Sequence, residues 1–417
     1  MNVRSLTTGA ALPSDEAARA LLIERLGGFA AATRAALEDA GFTVQTTRLS
    51  VQPLERWLAP GPEAAESVAA VGRTVESAGI DYWSLGTMQA SDGATGTLAL
   101  AEIMPDLLMA APNGFGSVQV GTRSNGSGQV SIEAVRVAAR VIRALAAATP
   151  DGFGNLRFAA AANCPPHVPF FPASYYMEDA SNNGRPEFGL ALEAADLAVL
   201  AFERAGTLEQ ARQNLLALLV EHGTKAAEVC TARGAEAGFT FTGLDISMAP
   251  HPAPERSIGR ALEIVSGAPL GAPGTLAASA FITGVLREAR EKLRTVGYSG
   301  LMLPVLEDQT LADRAAEGLV SLDTLLLMSA VCGLGLDTVP LPGDVTQQQI
   351  ERIVLDMAVL AVRLDKPLTA RLLPVPGKAA GEPAEWPDFP YFARGKVMPV
   401  PEAGGEGLLL GEALLTL

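Results

Sequence analysis

Strand-like and helix-like stretches take turns along nearly the whole chain, and that rhythm leaves few architectures open. Residues 13–40 place Leu22, Ile23, Leu26 and Phe29 at helical spacing behind Ser14 as N-cap, with Asp15 and Glu16 in the first turn. Gly41 ends this helix, and FTVQTTRLSV (42–51) follows with the β-branched alternation of a strand. Strand-like 80–88, a helix near 97–109, strand-like 115–122, a helix over about 129–147 and strand-like 155–163 continue the pattern. Beyond residue 205 the chain turns more helical, where Thr207 and Gln210 form a capping-box pair ahead of a helix reaching Arg233, and 239–247 returns to strand. Helices at 274–294 and Ser321–Ala330, strands at 300–305, 336–340 and 368–375, and a helix opened by Thr346 and Gln349 complete the reading. Strands and helices in such alternation define an α/β fold, either one large barrel or one large sheet.

The rhythm fills residues 1–375, which we take as one domain. Residues 376–417 are rich in Pro, Gly and aromatic side chains (Trp386, Phe389, Tyr391, Phe392), which reads as an irregular segment packed on the body or on a partner subunit. The closing LLLGEALLTL is too apolar for a solvated tail, so docking in cis or in a homo-oligomer is expected.

With 48% hydrophobic and 18% charged residues, the 417-residue chain is globular in composition. A formal charge of -15 without basic clusters argues against nucleic acid or an anionic membrane as main partner. The opening residues lack the continuous apolar core of a signal peptide and no window is apolar enough to span a bilayer, so the expected address is the cytoplasm. Three cysteines and three histidines, all scattered, exclude a disulfide framework, a CxxC site and a His-rich metal centre. A divalent cation (Mg or Ca) would need oxygen ligands, for which Asp245, Glu307 and Asp308 are the candidates.

Five constellations carry the candidate chemistry. GTRSNGSGQVS (121–131) joins a strand to a helix; Arg123, Ser124, Asn125 and Gly126 are positioned to hold an anion, or the glycines merely make the turn. GLDISMAPHPAPERS (243–257) puts Asp245 and Ser247 on one face of a strand end ahead of His251, where Asp245 binds a ligand or caps the turn. Glu307 and Asp308 follow a strand directly; either both face one site, or Asp308 caps a helix starting near Thr310 while Glu307 is solvated. AVCGLGLDTVPLPGD (330–344) offers Cys332 and Asp337, Cys332 being otherwise an inert buried thiol. NCPPHVPFFPASYYMED (163–179) joins Asn163, Cys164 and His167 to a proline-rich aromatic run, read as a rigid pocket lid in preference to a Cys–His dyad.

Together, FGSVQVGTRSNGSG, Asn163 with PFF, LDISMAPHP, GAPGTLAA, GYSGLMLPVLEDQ, CGLGLDTVPLP and RGKVMPVP resemble the domain of unknown function 711 family, also called uncharacterised protein family 0210, from about residue 3 to 401. That resemblance implies a ten-stranded α/β barrel of the pyruvate formate-lyase-like glycyl radical type, made of two five-stranded halves. By fold analogy Cys332 stands for the active cysteine carried by a loop in such enzymes. ARGKVMPVPEAGGEG lacks their RVxG-type glycyl motif, so the fold is expected without the radical mechanism. The leading expectation is an enzyme (a lyase, hydrolase or transferase) on a small polar or anionic metabolite. Asp245, Glu307, Asp308, Asp337 and Cys332 would carry the chemistry, and Arg123 to Gly126, Asn163 and His251 would hold the ligand. The alternative is a non-catalytic ligand-binding or assembly protein that keeps the barrel.

Overall fold

The apolar, β-branched stretches become the strands of one extensive sheet. The computed structural model describes residues 2–178, 184–402, 404–405 and 407–417. Its strands are β1 (Asn2–Gly9), β2 (Val44–Ser50), β3 (Tyr82–Ser84), β4 (Met88–Gln89), β5 (Gly114–Ser124), β6 (Ser127–Ser131) and β7 (Phe158–Ala162). They continue with β8 (Glu187–Glu193), β9 (Thr240–Asp245), β10 (Gly335–Pro342), β11 (Leu368–Val375), β12 (Pro383–Ala384), β13 (Gly395–Lys396) and β14 (Leu414–Thr416). The main path runs β10-β11-β7-β5-β3-β2-β1-β8-β9; β4, β6 and β14 join beside it, and β12 pairs only with β13.

Neighbours along β1, β2, β3, β5 and β7 are parallel, as are β8 with β9 and β10 with β11. The direction reverses only at β1–β8 and β11–β7 along this path. The molecule is therefore a mixed α/β domain built on a large, mostly parallel sheet. The helices cover it, so β7, β8, β10 and β11 are buried along their whole length, as parallel strands with both faces covered must be. No described helix is long and apolar enough to cross a membrane.

The resemblance implied ten strands in a closed barrel. The described sheet holds twelve, and residues 300–305, read as a strand, make only isolated bridges, Met248 with Leu301 and Pro304 with Asp337. The reason is local: the N–H groups of Tyr298 and Ser299 donate to the Asp245 carboxylate and that of Gly300 to Ser247 Oγ, which takes them out of any ladder.

Other boundaries move for similar reasons. Asp15, not Ser14, caps the first helix by accepting from the Ala18 N–H. The helix near 97–109 is two helices, Thr95–Glu102 and Met104–Ala110, with Pro105 opening the second. The helix expected from 129 starts at Ile132 because Ser127–Ser131 is strand. Glu187–Glu193 (EFGLALE) escaped the reading of the chain: it is too short to show a period, and both its faces are buried.

The connection from β7 to β8 decides where the cavity lies. Residues 168–174 cross the face of the sheet, held by small polar side chains of the strands. Ser5 and Thr7 Oγ donate to the Pro169 carbonyl (2.9 and 2.8 Å), Ser117 to that of Pro172 (3.2 Å) and Ser84 to that of Ser174 (2.6 Å). Asp179, at the end of the proline-rich aromatic run, lies outside the described residues, as do 403 and 406 of the C-terminal segment.

Candidate functional site

On one side of this crossing segment lies a cavity of about 640 Å³, within the size range of small-molecule sites. β1 contributes Arg4, β2 Arg48, β3 Tyr82, β10 Asp337 and β11 Arg371. Phe170, Phe171 and Pro172 come from the crossing segment, Tyr298 and Glu307 from the irregular stretch before β10, and Phe389 and Tyr391 from the C-terminal segment.

The charged groups form an alternating chain. Arg371 spans two acids, with Nε 2.5 Å from Asp337 Oδ1 and Nη2 2.7 Å from Glu307 Oε1. Arg4 Nη2 lies 3.5 Å from the other oxygen of Glu307, and its Nε lies 3.4 Å from Glu193 Oε2. Arg256 closes the series by pairing with Glu193. Three acids (Asp337, Glu307, Glu193) thus face three arginines (Arg371, Arg4, Arg256), and the chain is formally neutral. Burial pushes the Asp337 carboxyl up, Arg371 pulling against it and Glu307 adding to it. Burial works against the Arg371 charge too, yet Asp337 and Glu307 outweigh it and hold this guanidinium above its ordinary value.

Arg48 stands outside this balance. Its Nε donates to Thr46 Oγ1 (3.0 Å) and its guanidinium lies over the Phe171 ring, 5.0 Å from the centroid. Among the described residues no carboxylate forms an ion pair with it. Burial, reinforced by Arg4, pushes Arg48 down to about 10. Arg157, also on the wall, is satisfied differently: Nη1 donates to the carbonyls of Leu108, Ala111 and Gly114, at the end of a helix.

The residues singled out in the sequence divide into groups. Glu307 and Asp337 meet at the cavity through Arg371. His251 lies beside it, its ring edge-on to Tyr391 at 6.1 Å and its Nδ1 accepting from the Ala253 N–H; burial and then Arg4 push its pKa down. Asp245 is buried beyond the cavity wall and accepts from the N–H groups of Ser247, Tyr298 and Ser299 and from Ser247 Oγ. Asp308 caps the helix Gln309–Ala316 through the Leu311 N–H and accepts from Ser257 Oγ and the Gly259 N–H. Asp245, Glu307 and Asp308 therefore do not share one site, and the described residues contain no group of three His, Cys, Asp or Glu side chains placed to hold a metal ion.

The segment 121–131, offered as an anion loop or a plain glycine turn, forms a hairpin. Arg123 pairs with Gly128 and Ser124 with Ser127, and the turn is Asn125–Gly126 with φ of 51° and 83°, the signature of a type I′ turn. Its backbone groups are thus directed into the ladder, and Arg123 Nη1 donates to the Val362 carbonyl (2.8 Å). Asn163 ties the hairpin down, accepting from the Arg123 N–H and donating to Asp365. Cys332 is buried away from the lining, its carbonyl taken by Lys366 Nζ, and burial pushes its thiol up. The aromatic run read as a lid supplies the cavity's inner wall. Cys164 within it is pushed up to about 12 by burial, and its Sγ meets the Tyr298 hydroxyl (3.5 Å) and the carbonyls of Ala162 and Leu368.

Sequence reasoning missed the arginines. Arg4, Arg48 and Arg371 each interrupt a strand that is otherwise apolar or short and polar (NVRSLTTG, VQTTRLS, LTARLLPV). A charged residue within a strand destined for burial was the available signal.

The fold and cavity define an α/β protein with a charged, aromatic-walled cavity. The chain belongs to the family described as Uncharacterised ACR (DUF711), whose model matches residues 1–388. It is similar to a UPF0210 protein of Pyrobaculum arsenaticum, 31% identical over 360 residues, or 82% of this chain and 76% of the relative. Similarity extends to the UPF0210 protein of Desulfovibrio desulfuricans, at 29% over 384 residues (88% and 82%), and to that of Bifidobacterium adolescentis, at 27% over 395 residues (90% and 84%).

Proposed function

We propose that this protein is an enzyme acting on a small anionic metabolite, with Arg48 as the counter-charge of the substrate and Glu307 with Asp337 as the acid/base pair. Arg48 carries this reading. Arg48 is a half-buried cation on the cavity lining with no carboxylate partner among the described residues, whereas every other charged group around the cavity has its partner within the protein, which leaves this guanidinium free to take an anion. Burial favours a proton on Asp337 while Arg371 favours the carboxylate, so this group is placed to exchange a proton with a ligand, and Arg371 fixes the direction of both carboxyls. The same fork favours a second reading, a ligand-holding protein without turnover, because both acids are already engaged by arginine.

Titration calorimetry with a panel of organic carboxylates and phosphate esters tests the first reading. Arg48→Met should weaken the best binder roughly 10- to 100-fold, the cost of a lost charge-assisted bidentate contact, and leave the fold intact. Unchanged affinity in this variant would remove the proposal. For a substrate found in this way, loss of turnover with retained binding in Glu307→Gln separates the enzyme from the ligand holder.

We propose further that the nine strands of the main path, with the irregular stretch 295–304 as a tenth, close into a barrel of the pyruvate formate-lyase-like type, with β4, β6 and β14 beside it. Two observations support this reading: the two reversals of direction divide the path into parallel groups, and the bridges Leu244–Thr295 and Pro304–Asp337 link the ends, β9 and β10, through one irregular stretch. The exposed Leu408 and Leu409, 91% and 58% accessible, support a homo-oligomer, to be tested by light scattering of the full chain and of a Leu408→Ser, Leu409→Ser variant.

A further inference from the structure

We infer that the anion bound at Arg48 is attached to a flat, unsaturated ring, an inference that rests on the proposed anion site and deepens it. Three aromatic side chains make one continuous wall next to Arg48. Tyr82 and Phe115 meet edge to face with centroids 5.3 Å apart, Phe115 and Phe171 lie 5.4 Å apart, and the Arg48 guanidinium sits over the Phe171 ring. A second aromatic group stands elsewhere on the lining, where Phe389 packs against Phe153 at 5.1 Å and Tyr391 at 5.4 Å.

A carboxylate or phosphate held by both arms of a guanidinium is coplanar with it. Phe171 and the bound anion therefore share the one guanidinium, which places the body of the ligand along the Tyr82–Phe115–Phe171 wall. Aromatic walls reward a ring more than an aliphatic body of equal size, because the quadrupoles of two rings can align in offset or edge-on contact. About 640 Å³ leaves room for more than one ring. Nothing on this wall selects between a carboxylate and a phosphate ester, whose shared chemistry is a planar ring bearing one terminal anion.

The test is titration calorimetry of the full chain with three probes built on one fused two-ring skeleton. 2-Naphthoate carries ring and charge, decahydronaphthalene-2-carboxylate carries charge alone, and 2-naphthamide carries the ring alone; naphthyl phosphate and inorganic phosphate form a parallel pair. We expect 2-naphthoate or naphthyl phosphate to bind about 10-fold more tightly than its partner lacking the ring, and 2-naphthamide to bind more weakly than 2-naphthoate. Phe171→Leu should erase the ring preference while keeping the preference for charge, and Arg48→Met should do the reverse. Equal affinity for the naphthyl and decahydronaphthyl carboxylates overturns the ring inference and leaves the anion reading standing. Preference for the neutral amide, or no binding of any anionic probe at millimolar concentration, overturns both.

Discussion

Two pairs of buried or half-buried acids in this molecule have equal standing in the sequence and opposite roles in the fold. Asp245 and Asp308 are met almost entirely by backbone N–H and serine hydroxyl groups. Glu307 and Asp337 are met by arginine side chains at the edge of an open cavity. The first arrangement consumes the carboxylate: its oxygens organise a loop and a helix terminus, and moving them would leave backbone donors buried and unpaired. The second holds carboxylates in place through groups that are charged themselves and that an arriving ligand can rebalance. The partner of a buried acid, more than its burial, separates architecture from chemistry.

The largest effect expected from this contrast is at Asp245. Its removal in Asp245→Ala strips partners from three buried N–H groups at once, those of Ser247, Tyr298 and Ser299, and frees the 298–300 stretch between the bridges at Thr295 and Leu301. At 1–3 kcal/mol for each stranded donor, denaturant unfolding should show a loss of about 4–6 kcal/mol. A loss below about 1 kcal/mol would place Asp245 with the cavity acids instead. Arg371→Met should cost somewhat less, about 3–4 kcal/mol, because it strands Asp337 and Glu307 but leaves Arg4 to answer Glu307. It should also scramble ligand binding, which Asp245→Ala at temperatures well below its own unfolding transition should not.

How much of this was legible beforehand follows the same line. Strand β11 occupies 368–375 as its pattern foretold, and the Thr346/Gln349 capping box forms in both directions, since both depend on residues within a few positions. The cap role of Asp308 was visible as one of two local alternatives. The choice between them was not, because it depends on Ser257, 51 residues away, reaching Asp308 Oδ1. Glu307 and Asp337 were visible as acids at strand ends, but their meeting depends on Arg371, 64 and 34 residues distant. For the 121–131 segment the sequence offers an anion loop or a plain glycine turn, and the turn that forms is a hairpin, which the Asn125–Gly126 dipeptide with its type I′ preference encodes locally. The cavity itself was beyond reach, since it forms between a crossing segment, two groups of strands and a C-terminal stretch.

Titration sharpens the comparison with the smallest expected effect. Burial raises Asp245 from 3.8 to about 6 against the pull of Ser247, Ser299 and Tyr298. Because the folded value exceeds the unfolded one, the folded chain holds this proton more tightly between those two pH values. Its contribution to stability is thus greatest below pH 3.8, falls as pH rises through the window and is flat above about 6. The advantage of the wild type over Asp245→Asn in denaturant unfolding should therefore shrink from pH 4 to pH 6, by about 2 kcal/mol at most. Asp308, also raised by burial, should behave in the same direction. An advantage that grows with pH would mean that the N–H donors, rather than burial, set the preferred form of Asp245, and would make it an ionised anchor whose charge the loop 298–300 is built to hold.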